Sequence, residues 1–282
     1  MDTKNKNIVR KVAFVSDERA KTENLIGSAF RRTSLLRMYR IATSVFFFIA
    51  GLTFATWASR IPDIQHKLQL SDGGLGAVLF SLPVGLMLSL PISGWMVSKY
   101  GSRRVVIIAA VIYPAILLLL AMAASVIQLS AALFLFGILG NLINIAMNTQ
   151  AVGVEKLYGK SIMASFHGLW SLAGFTGALA GTFFVSAGLS PFIHFSIVCV
   201  SAILLVVASY KFTLPHDNGG GQPQRLFVKP DKKILLLGLI GFCSLLCEGA
   251  MADWSGVYFK KIVQTPEAFI TLGYVAFTST MA

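Results

Sequence analysis

The chain has 282 residues, of which 55% are hydrophobic and 13% are charged, and its formal net charge is +12. A soluble domain contains about one quarter charged residues, so this composition excludes a protein whose surface faces mainly water. The positive charge does not indicate nucleic-acid binding, because the basic residues collect between apolar stretches and form no single stripe.

Seven apolar stretches are long enough to cross a membrane, since a helix needs about 20 mostly apolar residues to span a hydrocarbon core about 30 Å thick. The chain is therefore predicted to be an all-α polytopic membrane protein. The predicted spans are 41–58, 73–97, 105–127, 129–152, 161–187, 191–212 and 234–254. An eighth apolar run begins near residue 268 and is too short for a crossing, which predicts a fragment or a truncated gene product.

Lysine and arginine residues predict the orientation. With the N-terminus in the cytoplasm, the cytoplasmic segments hold 20 of the 24 basic residues, as the positive-inside rule requires. Residues 1–40 are then a basic cytoplasmic segment, and 41–212 form a first bundle of six helices. The Gly-, Pro- and charge-rich stretch 213–233 is a cytoplasmic linker, and 234–282 begin a second bundle.

Trp57 and Arg60 lie one turn apart at the outer end of the first span. The simplest interpretation is an aromatic residue of the membrane interface beside a cation that extends its head group to water. A contact between Trp57 and a substrate is the alternative.

The loop between the second and third spans reads SGWMVSKYGSRRVV (93–106). It resembles the corresponding loop of the major facilitator superfamily, and the matching residues are Gly94, Lys99, Gly101, Arg103 and Arg104. Ser98 stands where the family has an acidic residue that helps to latch two bundles together. The resemblance implies a tight glycine turn held in the cytoplasm by basic residues.

Three asparagines, Asn141, Asn144 and Asn148, fall on one face of the fourth span. Amide groups inside lipid need hydrogen-bonding partners. The asparagines therefore either line a solute path, where they would bind sugar hydroxyls, or join this helix to a neighbour. Gln150 is expected near the cytoplasmic interface.

The fifth span places His167, Trp170, Ser171 and Gly174 on one helix face. An indole on which a sugar ring stacks, beside groups that bind hydroxyls, suits a sugar-binding site. The alternative for His167 is a packing role inside the bundle.

Two carboxylates, Glu248 and Asp253, interrupt the seventh span. A charge at the bilayer centre costs at least about 2.5–3.5 kcal/mol, so it needs a partner, a proton or water. Glu248 is predicted to face a central cavity and to take up a proton or bind substrate, with Asp253 as a second proton-coupling candidate. The residues are about 140° apart on a helix, so both face one cavity only if the helix breaks at Gly249. An interhelical hydrogen bond is the alternative for Glu248, and a helix-end charge for Asp253.

Four stretches, GLTFATWASRIPDI, NIAMNTQAVGVEK, SFHGLWSLAG and CEGAMADW, are similar to a bacterial inner-membrane branch of the superfamily that includes the rhizopine-transport membrane protein. The resemblance covers the chain beyond residue 36. It implies a twelve-helix fold and a sugar- or inositol-like solute.

The sequence thus predicts a secondary transporter in the inner membrane that moves a small polar solute by alternating access, with protons as the coupling ion. No catalytic residues, metal or cofactor are expected. A seven-helix receptor, an inactive fragment and an efflux antiporter are the alternatives. The antiporter alternative rests on Gly168, Gly177 and Gly181, although the proline and paired glycines of that motif are absent.

Overall fold

The structure is a computed structural model that describes residues 33–215 and 231–281. In these ranges the α-helices are α1 (Thr33–Ala58), α2 (Ile61–Lys67), α3 (Asp72–Leu79), α4 (Ser81–Tyr100), α5 (Ser102–Met122), α6 (Val126–Tyr158), α7 (Met163–Ser186), α8 (Pro191–Ser209), α9 (Lys232–Tyr258) and α10 (Leu272–Met281). Shorter helical turns cover Tyr210–Phe212, Phe259–Val263 and Glu267–Phe269.

Seven helical stretches in the described part of the chain are long and apolar enough to cross a membrane. Each of them overlaps one of the seven predicted spans, so the predicted all-α membrane fold is confirmed. The second span, Asp72–Tyr100, consists of α3 and α4, which meet at Phe80. Pro83 follows this junction and has no backbone N–H to donate to the last turn of α3, which accounts for the break.

Two helices begin earlier in the chain than predicted. Residues 33–40 of the predicted N-terminal segment already belong to α1, and Lys232 and Lys233 belong to α9 rather than to the linker. The remainder of the N-terminal segment, 1–32, and residues 216–230 of the linker lie outside the described residues.

Helices α1 to α8, the first bundle, approach one another closely at small residues. A Cβ added to Gly51 of α1 would overlap the carbonyl oxygen of Trp170, and one added to Gly181 of α7 would overlap the side chain of Ser59. Small residues allow membrane helices to pack backbone against backbone. Gly177 and Gly181 therefore serve the contact between α1 and α7, whereas no neighbour lies within 4 Å of a Cβ placed on Gly168.

The bundle has two ends, which we call the linker end, where α8 ends and α9 begins, and the distal end, where α9 ends. The described contacts between α9 and the first bundle lie toward the distal end. There Lys261 forms an ion pair with Asp72, and Pro62 lies against Gly256. The side chains of 234–240 and 242–247, nearer the linker end, are exposed.

Candidate solute cavity

A cavity lies where α1 and α7 of the first bundle meet α9 and α10. Its empty volume is about 310 Å³, including the part that opens to solvent. The cavity is lined by Gly51, Phe54, Trp170, Ser171, Gly174, Glu248, Ala252, Tyr274, Phe277, Thr278 and Met281.

One glycine brings two walls of the cavity together. Gly51 allows α1 to reach the backbone of α7 at Trp170, whereas a Cβ on Gly174 would make an ordinary contact, 4.0 Å from the methyl group of Thr278. The spacing of Tyr274 and Thr278 puts both on one face of α10, and both side chains are buried. The close helix contacts thus gather aromatic and polar side chains around a small space.

Glu248 is the charged residue among the described residues that line the cavity. Its side chain is half-buried, and among the described residues no hydrogen bond or ion pair engages its carboxylate. Asp253 does not line the cavity. The helix break at Gly249 that would let both carboxylates face one cavity is not present, because α9 continues through Gly249 from Lys232 to Tyr258.

Of the four residues predicted to share one face of α7, three line the cavity and one does not. Trp170, Ser171 and Gly174 line the cavity together, as their spacing indicated. His167, one turn nearer the linker end, is exposed and meets the ring of Phe47 edge-on, with the ring centroids 5.4 Å apart. It does not line the cavity in this structure.

The three asparagines of α6 also have different partners. The side-chain amide of Asn141 is buried and donates hydrogen bonds to Ser89 Oγ at 3.0 Å and Ser93 Oγ at 3.1 Å, which joins α6 to α4. Asn148 donates to the backbone and side-chain oxygens of Asn144, both at 2.9 Å. None of the three asparagines lines the cavity, and Asn141 follows the helix-joining alternative.

The interfacial interpretation of Trp57 and Arg60 is wrong, because both side chains lie inside the bundle, 1% and 2% exposed. Trp57 belongs to the hydrophobic core and does not line the cavity. Arg60 donates hydrogen bonds to Asp63 Oδ2 at 2.7 Å, the Leu189 carbonyl oxygen at 3.0 Å and His194 Nδ1 at 3.3 Å. Neighbouring chain segments cover the end of α1, so these side chains reach neither lipid nor water.

The glycine–basic loop forms the turn that its sequence implies. Gly101 has φ of +81°, a conformation that glycine adopts readily, and it separates α4 from α5. Arg103 donates to the Tyr210 carbonyl oxygen at 3.4 Å, and Lys99 lies over the rings of Trp95 and Tyr100. Gly94 and Arg104 are exposed.

Several polar contacts and lining residues had no clear signal in the sequence. Four lining residues were not predicted: Phe54, Tyr274, Phe277 and Thr278. The last three lie in the eighth apolar run, which is too short for a membrane crossing and was therefore not expected to form part of the cavity wall. Gln150 is fully buried rather than interfacial. Its side-chain amide exchanges two hydrogen bonds with the backbone of Leu214, at 3.0 and 3.2 Å, and so binds the start of the linker to α6.

Comparison with known proteins gives consistent matches along the chain. The sequence profile described as Major Facilitator Superfamily matches residues 42–282. An uncharacterized MFS-type transporter of Yersinia pestis is 34% identical over 244 residues, which cover 86% of this chain and 63% of the relative. The membrane protein MosC of Rhizobium meliloti is 32% identical over 240 residues, which cover 83% of this chain and 57% of MosC. The chain thus spans about three fifths of the length of these relatives.

Solved structures share the fold. The nucleoside transporter NupG aligns with a TM-score of 0.62 at 16% identity, covering 86% of this chain and 62% of NupG. A D-xylose-proton symporter aligns with a TM-score of 0.56 at 11% identity, covering 85% of this chain and 65% of the symporter. From the sequence match and the shared helical architecture, we conclude that the chain belongs to the Major Facilitator Superfamily.

Proposed function

We propose that the protein is a secondary transporter that moves a small polar solute, sugar- or inositol-like, across the bacterial inner membrane by alternating access with protons as the coupling ion. The N-terminus and the linker lie in the cytoplasm in this proposal. The segments 41–212 and 234–282 belong to two bundles that move relative to each other around the cavity.

One observation carries the proposal: the half-buried carboxylate of Glu248 faces a cavity between bundles and has no partner among the described residues. An ionised group inside a membrane is costly without a partner. A proton or a bound solute supplies that partner in turn, which is what a coupled transport cycle requires. Trp170 offers an aromatic surface for a sugar ring, and Ser171 and Thr278 offer hydroxyl groups.

The comparisons add support for the solute class and the coupling. One structural relative is named for nucleosides and another for D-xylose and protons, and both kinds of solute contain a sugar. A receptor is disfavoured because the chain belongs to a transporter superfamily and α10 follows the seventh span. No observation favours efflux, since Gly177 and Gly181 are accounted for by the α1–α7 contact.

The test is uptake of radiolabelled myo-inositol and hexoses by vesicles that contain the full chain, with and without an imposed pH gradient. We expect the gradient to accelerate uptake of at least one solute. Glu248→Gln removes the titratable group and is expected to abolish that acceleration.

Glu267→Gln is the matched control, because Glu267 is an exposed carboxylate at the distal end and does not line the cavity. It is expected to transport like the unmodified chain. Gradient-driven uptake that Glu248→Gln leaves unchanged contradicts the role of Glu248, and absence of uptake for every solute favours the inactive-fragment alternative.

A further inference from the structure

On its distal side the cavity ends at a close contact between the first bundle and α9. Glu248 and Ala252 line the cavity, and Gly256 follows at the same spacing of four residues, which places all three on one face of the helix. A Cβ on Gly256 would lie 2.9 Å from Pro62 Cγ and 3.8 Å from a methyl group of Ile270. The face of α9 that lines the cavity therefore continues into a tight contact with α2.

Further contacts surround this one at the distal end. The indole ring of Trp254 lies against α3, where a Cβ on Gly76 would be 3.6 Å from it. The hydroxyl groups of Thr182 in α7 and Thr271, just before α10, share a hydrogen bond. On the other side of the cavity, the side chains of 234–240 and 242–247 are exposed. Helix α9 thus closes against the first bundle beyond the cavity at the distal end.

Three polar residues, which we call the distal clamp, join α9 to the first bundle beside this contact. The Lys261 ammonium forms an ion pair with Asp72 Oδ1, and Gln65 Nε2 donates a hydrogen bond to the same oxygen at 2.9 Å. Gln65 is 4% exposed and also donates to the Leu70 carbonyl oxygen at 3.3 Å. Contacts within the first bundle therefore hold the Asp72 carboxylate where Lys261 meets it, which lowers the entropy lost when the ion pair forms.

The ion pair of the clamp is exposed, so it breaks easily. The side chains of Lys261 and Asp72 are 42% and 59% exposed, and salt weakens pairs of this kind. An exposed ion pair changes an equilibrium about two- to fivefold. That is enough to bias a protein between two conformations of similar free energy, and too little to prevent the change from one to the other.

We propose that the contact between Gly256 and Pro62 is a gate at the distal end of the cavity, and that the distal clamp holds this gate shut. Gln65 is a positioning residue, because it acts through Asp72. This inference rests on the proposed function, in which the cavity opens to each side of the membrane in turn. It names the contacts of this chain that must break before the cavity opens at the distal end.

The experiment measures how fast a membrane-impermeant maleimide reaches the cavity from the distal side of vesicles that contain the full chain. The reporter is Ala252→Cys in a chain carrying Cys243→Ser and Cys247→Ser, since Ala252 lines the cavity one turn from Gly256. Labelling of Glu267→Cys, at an exposed position of the distal end, identifies the distal side. We expect Ala252→Cys to react about tenfold more slowly than Glu267→Cys, because the form open at the distal end is the minor one.

Substitutions in the clamp should open the gate by graded amounts. Lys261→Gln removes the ion pair and should raise the labelling rate about two- to fivefold. Lys261→Glu brings two carboxylates together and should raise it further, and Asp72→Asn should reverse that additional increase. Gln65→Leu should raise the rate in the unmodified clamp but not in the Asp72→Asn chain, since it acts through Asp72. Lys260→Gln is the control, at a neighbouring lysine that forms no ion pair among the described residues.

A substitution at Gly256 tests the gate itself. Gly256→Ala adds a methyl group that overlaps Pro62, so the gate should close less completely and the labelling rate should rise. Gly241→Ala is the matched control in the same helix, because no described atom lies within 4 Å of a Cβ at Gly241. A cooperative thermal unfolding transition in both variants shows that faster labelling does not come from unfolding.

The outcomes separate this inference from the proposed function. Equal labelling rates in the unmodified chain, Lys261→Glu and Gly256→Ala overturn the gate and leave transport of a polar solute standing. Labelling of Ala252→Cys as fast as that of Glu267→Cys also overturns it, because the cavity would already be open at the distal end. An effect at Lys261 alone removes Gly256 from the gate, and an effect at Gly256 alone removes the clamp. Faster labelling of both variants in a chain that takes up no solute supports the gate and contradicts the transporter.

Discussion

Three polar side chains of the first bundle and the carboxylate of Glu248 in α9 are placed in opposite ways. In the first bundle, Asn141, Gln150 and Arg60 are buried, and each makes at least two hydrogen bonds that join separate segments. In α9, Glu248 is half-buried beside a cavity, and no described residue pairs with its carboxylate.

This difference shows that a polar residue in an apolar helix does not by itself mark a binding site. The deciding property is whether the fold supplies its partners. Where partners are present, the residue holds helices together, and a substitution should reduce stability. Where they are absent and the side chain is ionisable and lies beside a cavity, a ligand or a proton is the available partner, and a substitution should change function.

A substitution of Arg60 is expected to reduce stability most. Arg60→Met keeps much of the side-chain volume but leaves the Asp63 carboxylate without its cation and the Leu189 carbonyl without a donor. The Asp63 side chain is 28% exposed and keeps part of its hydration, but the Leu189 carbonyl and the buried His194 ring lose their donor. Unsatisfied buried groups cost about 1–3 kcal/mol each, so the temperature of thermal unfolding in detergent should fall by several degrees. Arg104→Met, at an exposed arginine, should leave it nearly unchanged. Equal shifts of the unfolding temperature for the two substitutions would mean that the hydrogen bonds of Arg60 do not stabilise the distal end.

Gln150 offers a smaller test. Gln150→Leu leaves the backbone N–H and carbonyl of Leu214 without their side-chain partners, and each unsatisfied buried group costs about 1–3 kcal/mol. We expect a loss of stability below that of Arg60→Met and a local release of the linker. Thr213 is fully buried, so Thr213→Cys should resist a water-soluble maleimide in the unmodified chain and react after Gln150→Leu. Continued protection of Thr213→Cys would show that other contacts hold this segment.

The spans and the Gly101 turn could be predicted from the sequence because they depend on local properties. Hydropathy over some 20 residues identifies a crossing, and a glycine followed by basic residues marks the turn between α4 and α5. The placement of Trp170 and Ser171 on one cavity wall also followed from helical spacing alone.

The partners of polar groups could not be predicted, because they come from distant parts of the chain. Ser89 lies 52 residues before Asn141, and no periodicity within α6 indicates which of its asparagines meets that hydroxyl group. The burial of Trp57 could not be predicted for a similar reason. A residue at the end of a membrane helix is expected at the membrane interface, and only the folded structure shows that other segments cover it. Tyr274 was missed because its helix is shorter than a membrane crossing.

The most direct test is the accessibility of residue 248 to water. In a chain carrying Cys243→Ser and Cys247→Ser, a membrane-impermeant maleimide should label Glu248→Cys, because this position faces the cavity. Asn141→Cys, buried between α4 and α6, should remain unlabelled under the same conditions. Protection of Glu248→Cys to the same degree as Asn141→Cys would contradict a water-accessible carboxylate and remove the basis of the proposed solute site.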